Sequence, residues 1–356
     1  MHQKGEYKMK KRIGIIGIGM VAKKHINQLM DVDNCEIIAI CDIDPEVLSS
    51  WGDKLGIDEA YRFSDYNDLI NCEVVDAVEI CTPNYLHVPM ALAVVKAKKP
   101  VNLEKPLSVD LASSEALMEA LKENPVDNMM CFSYRFMPAV RYAKKLLDTG
   151  IIGDIISVDV AYLKSSAFFE GRRLEWRFVK EYAGSGVLGD LGVHLIDMAE
   201  LLCGKILKVS AMTEIVVKER KKLNSEEYAP VETDDYCSFI AEMDNNIKSN
   251  FVITRCARGH SNTIKFDIYG TKGIVSFDLN NPDVLKICAG EIDLETETIR
   301  TVKVPSKYNI SQEQAFIDKL NGKECDIYPT IYDGYHSQRV LDAVFESAEQ
   351  KCWVNI

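Results

Sequence analysis

Asp190 and His194 stand four residues apart in GDLGVHLIDMAELL (189–202), a spacing that sets two side chains on one face of a helix. An imidazole beside a carboxylate can accept or return a proton near neutral pH. A helical Asp-x-x-x-His pair is also half of a metal site, but the six histidines offer no third ligand at convincing spacing. No metal is expected. Lys105 follows the run Val101-Asn102-Leu103 in VNLEKP (101–106), where its ammonium could offset charge on an oxygen. Hydride removal from a carbinol carbon needs an acceptor for the hydroxyl proton and a donor near the same oxygen. Lys105 and His194 are of those types, and either could be the formal base. Asp190 would orient His194 or anchor a neighbouring hydroxyl.

Gly17-Ile18-Gly19-Met20-Val21-Ala22 has the form G-x-G-x-x-A between an apolar run and a helical pattern. The first glycine permits a tight turn, the second lets a pyrophosphate approach the backbone, and Ala22 keeps helix and strand close. Phosphates would then meet the N–H groups at the helix start. Asp42 ends the second apolar run, CEIIAIC (35–41), where a carboxylate accepts hydrogen bonds from an adenosine ribose diol. That predicts NAD. A 2′-phosphate would be repelled, and no Lys or Arg follows before Lys54, so NADP is disfavoured.

The elements that must position these residues are legible as a rhythm. Apolar runs at 12–17, 35–41, 74–83, 101–104 and 127–134 alternate with helical patterns such as 87–99 and 108–123, the last opening on a Ser108 cap. Such alternation predicts a doubly wound parallel sheet with helices on both faces, the Rossmann arrangement. After a helix at 138–150 the pattern becomes strand upon strand: 155–163, 209–217, 235–243, 247–256, 262–270, 273–279 and 298–304. A long helical stretch, 186–204, interrupts them, and helices at 311–321 and 331–351 follow. The expected class is therefore α/β, with a Rossmann domain over 11–134 after a polar tail, 1–10. An α+β domain with a large, mostly antiparallel open sheet follows over 135–356. Glycines 184, 186 and 189 predict a tight approach to the Asp190 helix, and the charged run 218–227 reads as a solvated loop.

Four ordered motifs make the chain resemble the Gfo/Idh/MocA oxidoreductases over nearly its whole length from about residue 11. They are GIGMVA with Asp42, CTPNYLH (81–87), EKP (104–106) and GSGVLGDLGVHLIDMAELL (184–202). The resemblance implies a cofactor set of Gly17, Gly19, Met20, Val21, Asp42, Thr82, Pro83, Asn84 and His87, with Glu104 and Lys105 at the nicotinamide end. It implies a catalytic constellation of Lys105, Asp190 and His194. It also turns Arg135, Trp176 and Arg177 toward substrate, Trp176 as a flat apolar wall for a sugar ring and Arg177 within reach of polar oxygens.

The implied substrate is a sugar, sugar derivative or cyclitol, oxidised at a ring secondary alcohol or reduced from the ketone. A neutral, inositol-like cyclitol or aldose leads; an anionic sugar met by Arg172 and Arg173 follows. Two other outcomes belong to relatives of this type: NAD-dependent glycoside cleavage by transient oxidation and elimination, and non-catalytic sensing of a sugar or dinucleotide. The joint presence of Lys105, Asp190 and His194 speaks against a sensor. A homodimer or homotetramer joined through the C-terminal sheet is implied by the resemblance alone.

Composition narrows the remaining classes. The 356 residues carry 42 Lys and Arg against 54 Asp and Glu, a net charge of −12, which repels phosphate backbones and anionic membranes. No nucleic-acid or membrane partner is expected. No apolar run reaches membrane-spanning length and MHQKGEYKMK has no apolar stretch after it, so a cytoplasmic place is expected. Eleven cysteines, scattered singly and mostly inside apolar runs, predict reduced core thiols. His2, His25, His260 and His336 suggest no role from the sequence.

Overall fold

The computed structural model describes residues 10–356, so the expected polar tail lies outside the described residues apart from Lys10. Two compact units form. One comprises the chain up to Leu107 with Ser114–Cys131 and Ser311–Ile331; the other comprises Ser108–Ser113, Phe132–Ile310 and Tyr332–Ile356.

The first unit holds six parallel strands: β1 (Lys11–Ile16), β2 (Cys35–Cys41), β3 (Arg62–Phe63), β4 (Ala77–Ile80), β5 (Val101–Leu103) and β6 (Asn128–Met130). Their order is β3-β2-β1-β4-β5-β6. Ile13, Ile15, Val78, Ile80 and Val101 are fully buried, as continuous apolar strands must be when helices cover both faces. The helices are α1 (Ala22–Met30), α2 (Pro45–Leu55), α3 (Tyr66–Asn71), α4 (His87–Lys96) and α5 (Leu111–Glu123). Local chemistry sets their ends. The Asp44 carboxylate accepts the Glu46 and Val47 N–H groups at the start of α2, and Gly56 closes it in the left-handed region. For α5 the capping differs from the expectation: the Asp110 carboxylate accepts the Ser113 N–H at 2.7 Å, while the Ser108 hydroxyl donates to the Asp110 carbonyl. Strand order reverses between β1 and β4, so the crevice for a ligand opens beyond their carboxyl ends, at Gly17 and Thr82.

The second unit is built on a nine-stranded sheet. In chain order its strands are β7 (Ile155–Leu163), β8 (Ile206–Glu214), then, after a small hairpin of β9 (Glu219–Lys221) and β10 (Tyr228–Pro230), β11 (Tyr236–Met243), β12 (Lys248–Thr254), β13 (Thr263–Gly270), β14 (Gly273–Asp278), β15 (Val284–Ala289), β16 (Arg300–Lys303) and β17 (Val354–Asn355). The order is β16-β15-β14-β13-β7-β12-β11-β8-β17, antiparallel except for β7 beside β12. One face is apolar and buried through Val158, Val160, Phe239, Phe251, Phe266 and Ile268; the other alternates toward polar residues. The helices are α6 (Pro138–Leu147), α7 (Lys180–Ala183), α8 (Val193–Cys203), α9 (Glu291–Thr296) and α11 (Ile331–Gln350), while α10 (Gln312–Leu320) belongs to the first unit.

Three features depart from the sequence reading. The run 218–227 is mostly hairpin, because Arg220 is buried and donates to the Ala167 and Arg172 carbonyls while its neighbours Lys221 and Lys222 pair with Glu226 and Glu227. Strands β15 and β17 join the large sheet from segments that carry no clear alternation. The segment 311–331, with α10, groups with the first unit rather than with the chain on either side of it. No helix among the described residues is long and apolar enough to cross a membrane.

Candidate active site

In the first unit, β1 turns at Gly17, whose φ is +84°; a Cβ there would stand 2.8 Å from the Thr82 Cγ2 and 3.1 Å from the Cys81 backbone. The two strand ends meet because residue 17 has no side chain. At Gly19 a Cβ would meet nothing within 4 Å, so this stretch of backbone borders open space. Ala22, fully buried, begins α1, which has no side-chain cap and no acid in its first turn. Its first N–H groups are left for an anion. Asp42 is fixed at the end of β2 by accepting the Ile18 N–H at 2.7 Å and the Asp44 N–H at 3.0 Å. Its oxygens keep lone pairs for further donors. Met20, Val21 and Ile43 are exposed at this rim.

The loops after β4 and β5 are tied together by His87. Its buried ring lies with Nδ1 2.7 Å from the Pro106 carbonyl and Nε2 2.9 Å from the Thr82 carbonyl. Burial pushes its pKa below the ordinary histidine value against the pull of those two carbonyls. His87 thus braces the Thr-Pro and Glu-Lys-Pro loops against each other. The Lys105–Pro106 peptide between them is cis. Glu104 accepts the Lys105 N–H at 3.0 Å. The Thr82 Oγ1 is buried and has no hydrogen-bond partner among the described residues.

Behind Glu104 lies a group that sequence reasoning missed. His25, on the inner face of α1, has its Nε2 2.9 Å from Glu104 and its Nδ1 3.1 Å from Glu79 and 3.3 Å from Glu313. Glu79 in the middle of an apolar strand was the available signal, since a buried acid needs a partner. The donor atoms of His25 with Glu79 and Cys81, and with Glu104 and Cys131, fall within 4.8 Å of one another; hydrogen bonding through both ring nitrogens accounts for that closeness.

In the second unit the expected single helix over 186–204 is instead a π-helical turn, Leu188–Gly192, leading into α8. The approach to that turn is held by Asp234, also missed. The buried Asp234 carboxylate accepts the Gly186 N–H at 2.5 Å and the Leu188 N–H at 2.9 Å, while a Cβ on Gly186 would fall 1.9 Å from the Asp234 carbonyl oxygen. Asp190 sits on this wide turn, half-buried, and His194, buried, sits in the first turn of α8. The Tyr134 ring meets the His194 ring edge-on, with centroids 4.5 Å apart. Tyr134 and Tyr162 share a hydroxyl hydrogen bond of 2.7 Å, and Tyr162 donates onward to Asn262. Burial first, then Tyr134 and Asp190, push the Tyr162 hydroxyl well above the usual tyrosine range. The imidazole therefore has an aromatic wall, whose hydroxyl is bonded to that of Tyr162.

Residues 11–132 match a family model described as the NAD-binding Rossmann fold of an oxidoreductase family, and residues 144–356 match its C-terminal alpha/beta domain. The chain belongs to the GFO/IDH/MocA oxidoreductase family. It is similar to a levoglucosan dehydrogenase of Pseudarthrobacter phenanthrenivorans, 30% identical and covering 89% of this chain and 88% of that one. It is also similar to a glucose-6-phosphate 3-dehydrogenase of Bacillus subtilis, 27% identical and covering 94% and 96%. A solved levoglucosan dehydrogenase in complex with NADH and L-sorbose superposes with a TM-score of 0.90 at 29% identity, covering 98% of this chain and 99% of that one.

NAD, the dinucleotide of this GFO/IDH/MocA fold, fits the first unit on the chain's own features. The bare start of α1, the open space at Gly19, the Asp42 carboxylate and the partnerless Thr82 hydroxyl are what pyrophosphate, ribose and polar ring atoms require. Around the expected substrate residues the picture is mixed. Arg135 is buried, and its guanidinium grips Asp197 at 2.6–2.9 Å and Asp333 at 3.2 Å. That makes it a pin for α8, on which His194 stands, rather than a group facing substrate. Even so close to Arg135, burial holds the Asp197 carboxyl up at about 6. Trp176 and Arg177 are half-buried and stack on each other, guanidinium 4.3 Å from the ring centroid. Arg172 donates to the Ser166 carbonyl, and Arg173 to the Lys222 and Ser225 carbonyls and to Glu226. Both are spent on holding the loop 165–178.

Proposed function

We propose that this oxidoreductase transfers a hydride between NAD and a ring secondary alcohol of a neutral sugar or cyclitol. Bound NAD supplies the hydride acceptor. His194 takes the hydroxyl proton as the carbinol is oxidised, and returns it in the reverse direction. Lys105 hydrogen-bonds the same oxygen and offsets its charge, on a loop braced by Glu104 and His87. Asp190 orients the imidazole or anchors a neighbouring hydroxyl. Trp176 offers an apolar face to the ring and Arg177 a donor to its oxygens.

The observation that carries the choice of a neutral ring is the internal use of Arg172 and Arg173, whose donors go to loop carbonyls and acids. The levoglucosan and glucose-6-phosphate dehydrogenases named above lend a ring sugar as substrate class; the engaged arginines favour the uncharged one. A panel of cyclitols, aldoses, anhydrosugars, uronic acids and sugar phosphates, each with NAD and NADP and followed by reduced-nicotinamide absorbance, tests this. Turnover restricted to anionic sugars would overturn it.

The unpaired thiols, from Cys35 to Cys352, support a reducing, cytoplasmic setting. The outer face of the large sheet, where Met212, Ile240 and Tyr269 are exposed, supports association of the chain with copies of itself.

A further inference from the structure

Four elements of the first unit converge on one imidazole. His25 comes from α1, Glu79 from β4, Glu104 from the end of β5 and Glu313 from α10. Two of the acids have a further anchor. Glu79 accepts the Asn102 amide at 3.1 Å, and Asn102 in turn accepts the Cys131 thiol at 3.1 Å. Glu104 accepts the Lys105 N–H through its second oxygen, at 3.0 Å. His25 is 3% exposed and Glu79 fully buried, so this is not a solvated salt bridge.

The proton count follows from the contacts. Carboxylate oxygens, unlike the carbonyls around His87, face both ring nitrogens, and that negative charge favours the ring that donates through both and carries its second proton. Burial alone would lower the pKa of His25; the hydrogen bonds to Glu104 and Glu79 reverse that and hold it well above the ordinary histidine value. One imidazolium among three carboxylates would leave two uncompensated negative charges without water, and one acid relieves this by keeping its proton. Glu313 is that acid, pushed up to about 7 chiefly by burial. The other titratable groups facing the cluster are Lys24 from α1, Cys81 after β4 and Cys131 after β6. Burial holds both thiols far above neutrality and hence uncharged.

We propose that His25 is a positioning residue for hydride transfer: through Glu104 it fixes the turn that carries Lys105, and Glu313 adjusts that hold. The proposal rests on the reading of Lys105 given above. The ring clamps one Glu104 oxygen, the other oxygen is then aimed at the Lys105 N–H, and the lysine stem starts from a fixed point. Because Glu313 shares the Nδ1 side of the ring with Glu79, ionisation of Glu313 pulls the ring away from Glu104. The hold on Lys105 weakens as pH rises through the Glu313 titration.

The test uses the full-length protein and follows three quantities across neutral pH: hydrogen exchange of the Lys105 amide, NADH affinity, and the single-turnover hydride-transfer rate. His25→Gln keeps one donor and loses the other. Exchange at Lys105 is expected to speed up by roughly tenfold and hydride transfer to slow by up to about 10²-fold, with NADH affinity unchanged. Glu313→Gln preserves shape and removes the titrating acid, so the pH dependence of Lys105 exchange should flatten; this variant decides the matter if His25→Gln does not fold. Lys105 exchange like that of wild type in His25→Gln, or a wild-type pH profile of that exchange in Glu313→Gln, overturns the proposal whatever the turnover. If exchange changes as expected while wild type oxidises no ring alcohol, the clamp stands and the dehydrogenase reading is what fails.

Discussion

His194 has surroundings suited to a proton carrier: a buried imidazole edged by Tyr134, on a helix whose start is held by Asp234 and whose next turn is held by Arg135 gripping Asp197. Replacement by alanine removes the proposed proton acceptor and alters no residue of the first unit. His194→Ala is expected to lower kcat by about 10²–10⁴, with NADH affinity, read by nicotinamide fluorescence titration, equal to wild type. In the first unit, Asp42 has a carboxylate held by two backbone donors at the end of β2, where it is expected to meet the adenosine ribose at which NAD and NADP differ. Asp42→Gly should therefore raise kcat/KM with NADP relative to NAD, measured side by side on one substrate. An unchanged ratio would remove Asp42 from cofactor choice.

At the scale of elements, the approach to the wide turn before α8 is held by one acid. Asp234→Ala strands two buried N–H groups, at Gly186 and Leu188, and is expected to cost about 3 kcal/mol in urea unfolding; Asp234→Asn, which keeps an acceptor, should recover part of it. The brace between the β4 and β5 loops carries a pH signature. The pKa of His87 is depressed by burial in the folded protein, so an unfolded chain takes up a proton below about pH 6.5 that the folded chain refuses. The contribution of His87 is present above that pH and lost as pH falls. The difference in Tm between wild type and His87→Asn should accordingly shrink on acidification from neutral pH; a constant difference would mean that the ring titrates alike in both states.

For the molecule as a whole, Met212 and Ile240 face outward from neighbouring strands of the large sheet, and lysines there would make association costly. Met212→Lys with Ile240→Lys should shift sedimentation toward monomer at micromolar concentration, and a wild type already monomeric would remove the proposed interface. The class of each half, the first sheet and its dinucleotide turn could be read from the residues because they rest on local rules: apolar period, glycine at a positive φ, an acid at a strand end. The same rules put Lys105 after a strand and His194 in a helix, but gave Asp190 the same helix where the structure has a π-helical turn. They could not say that Arg135 would be spent on Asp197, that Asp234 would hold the backbone at Gly186 and Leu188, or that Glu313, some 290 residues along the chain, would come to rest beside His25. Sequence alone settled most of the elements, because propensity and period act between near neighbours. Tertiary structure decided which charges are buried together and what each is left free to do, because pairing in a dry interior depends on distances that no local pattern encodes.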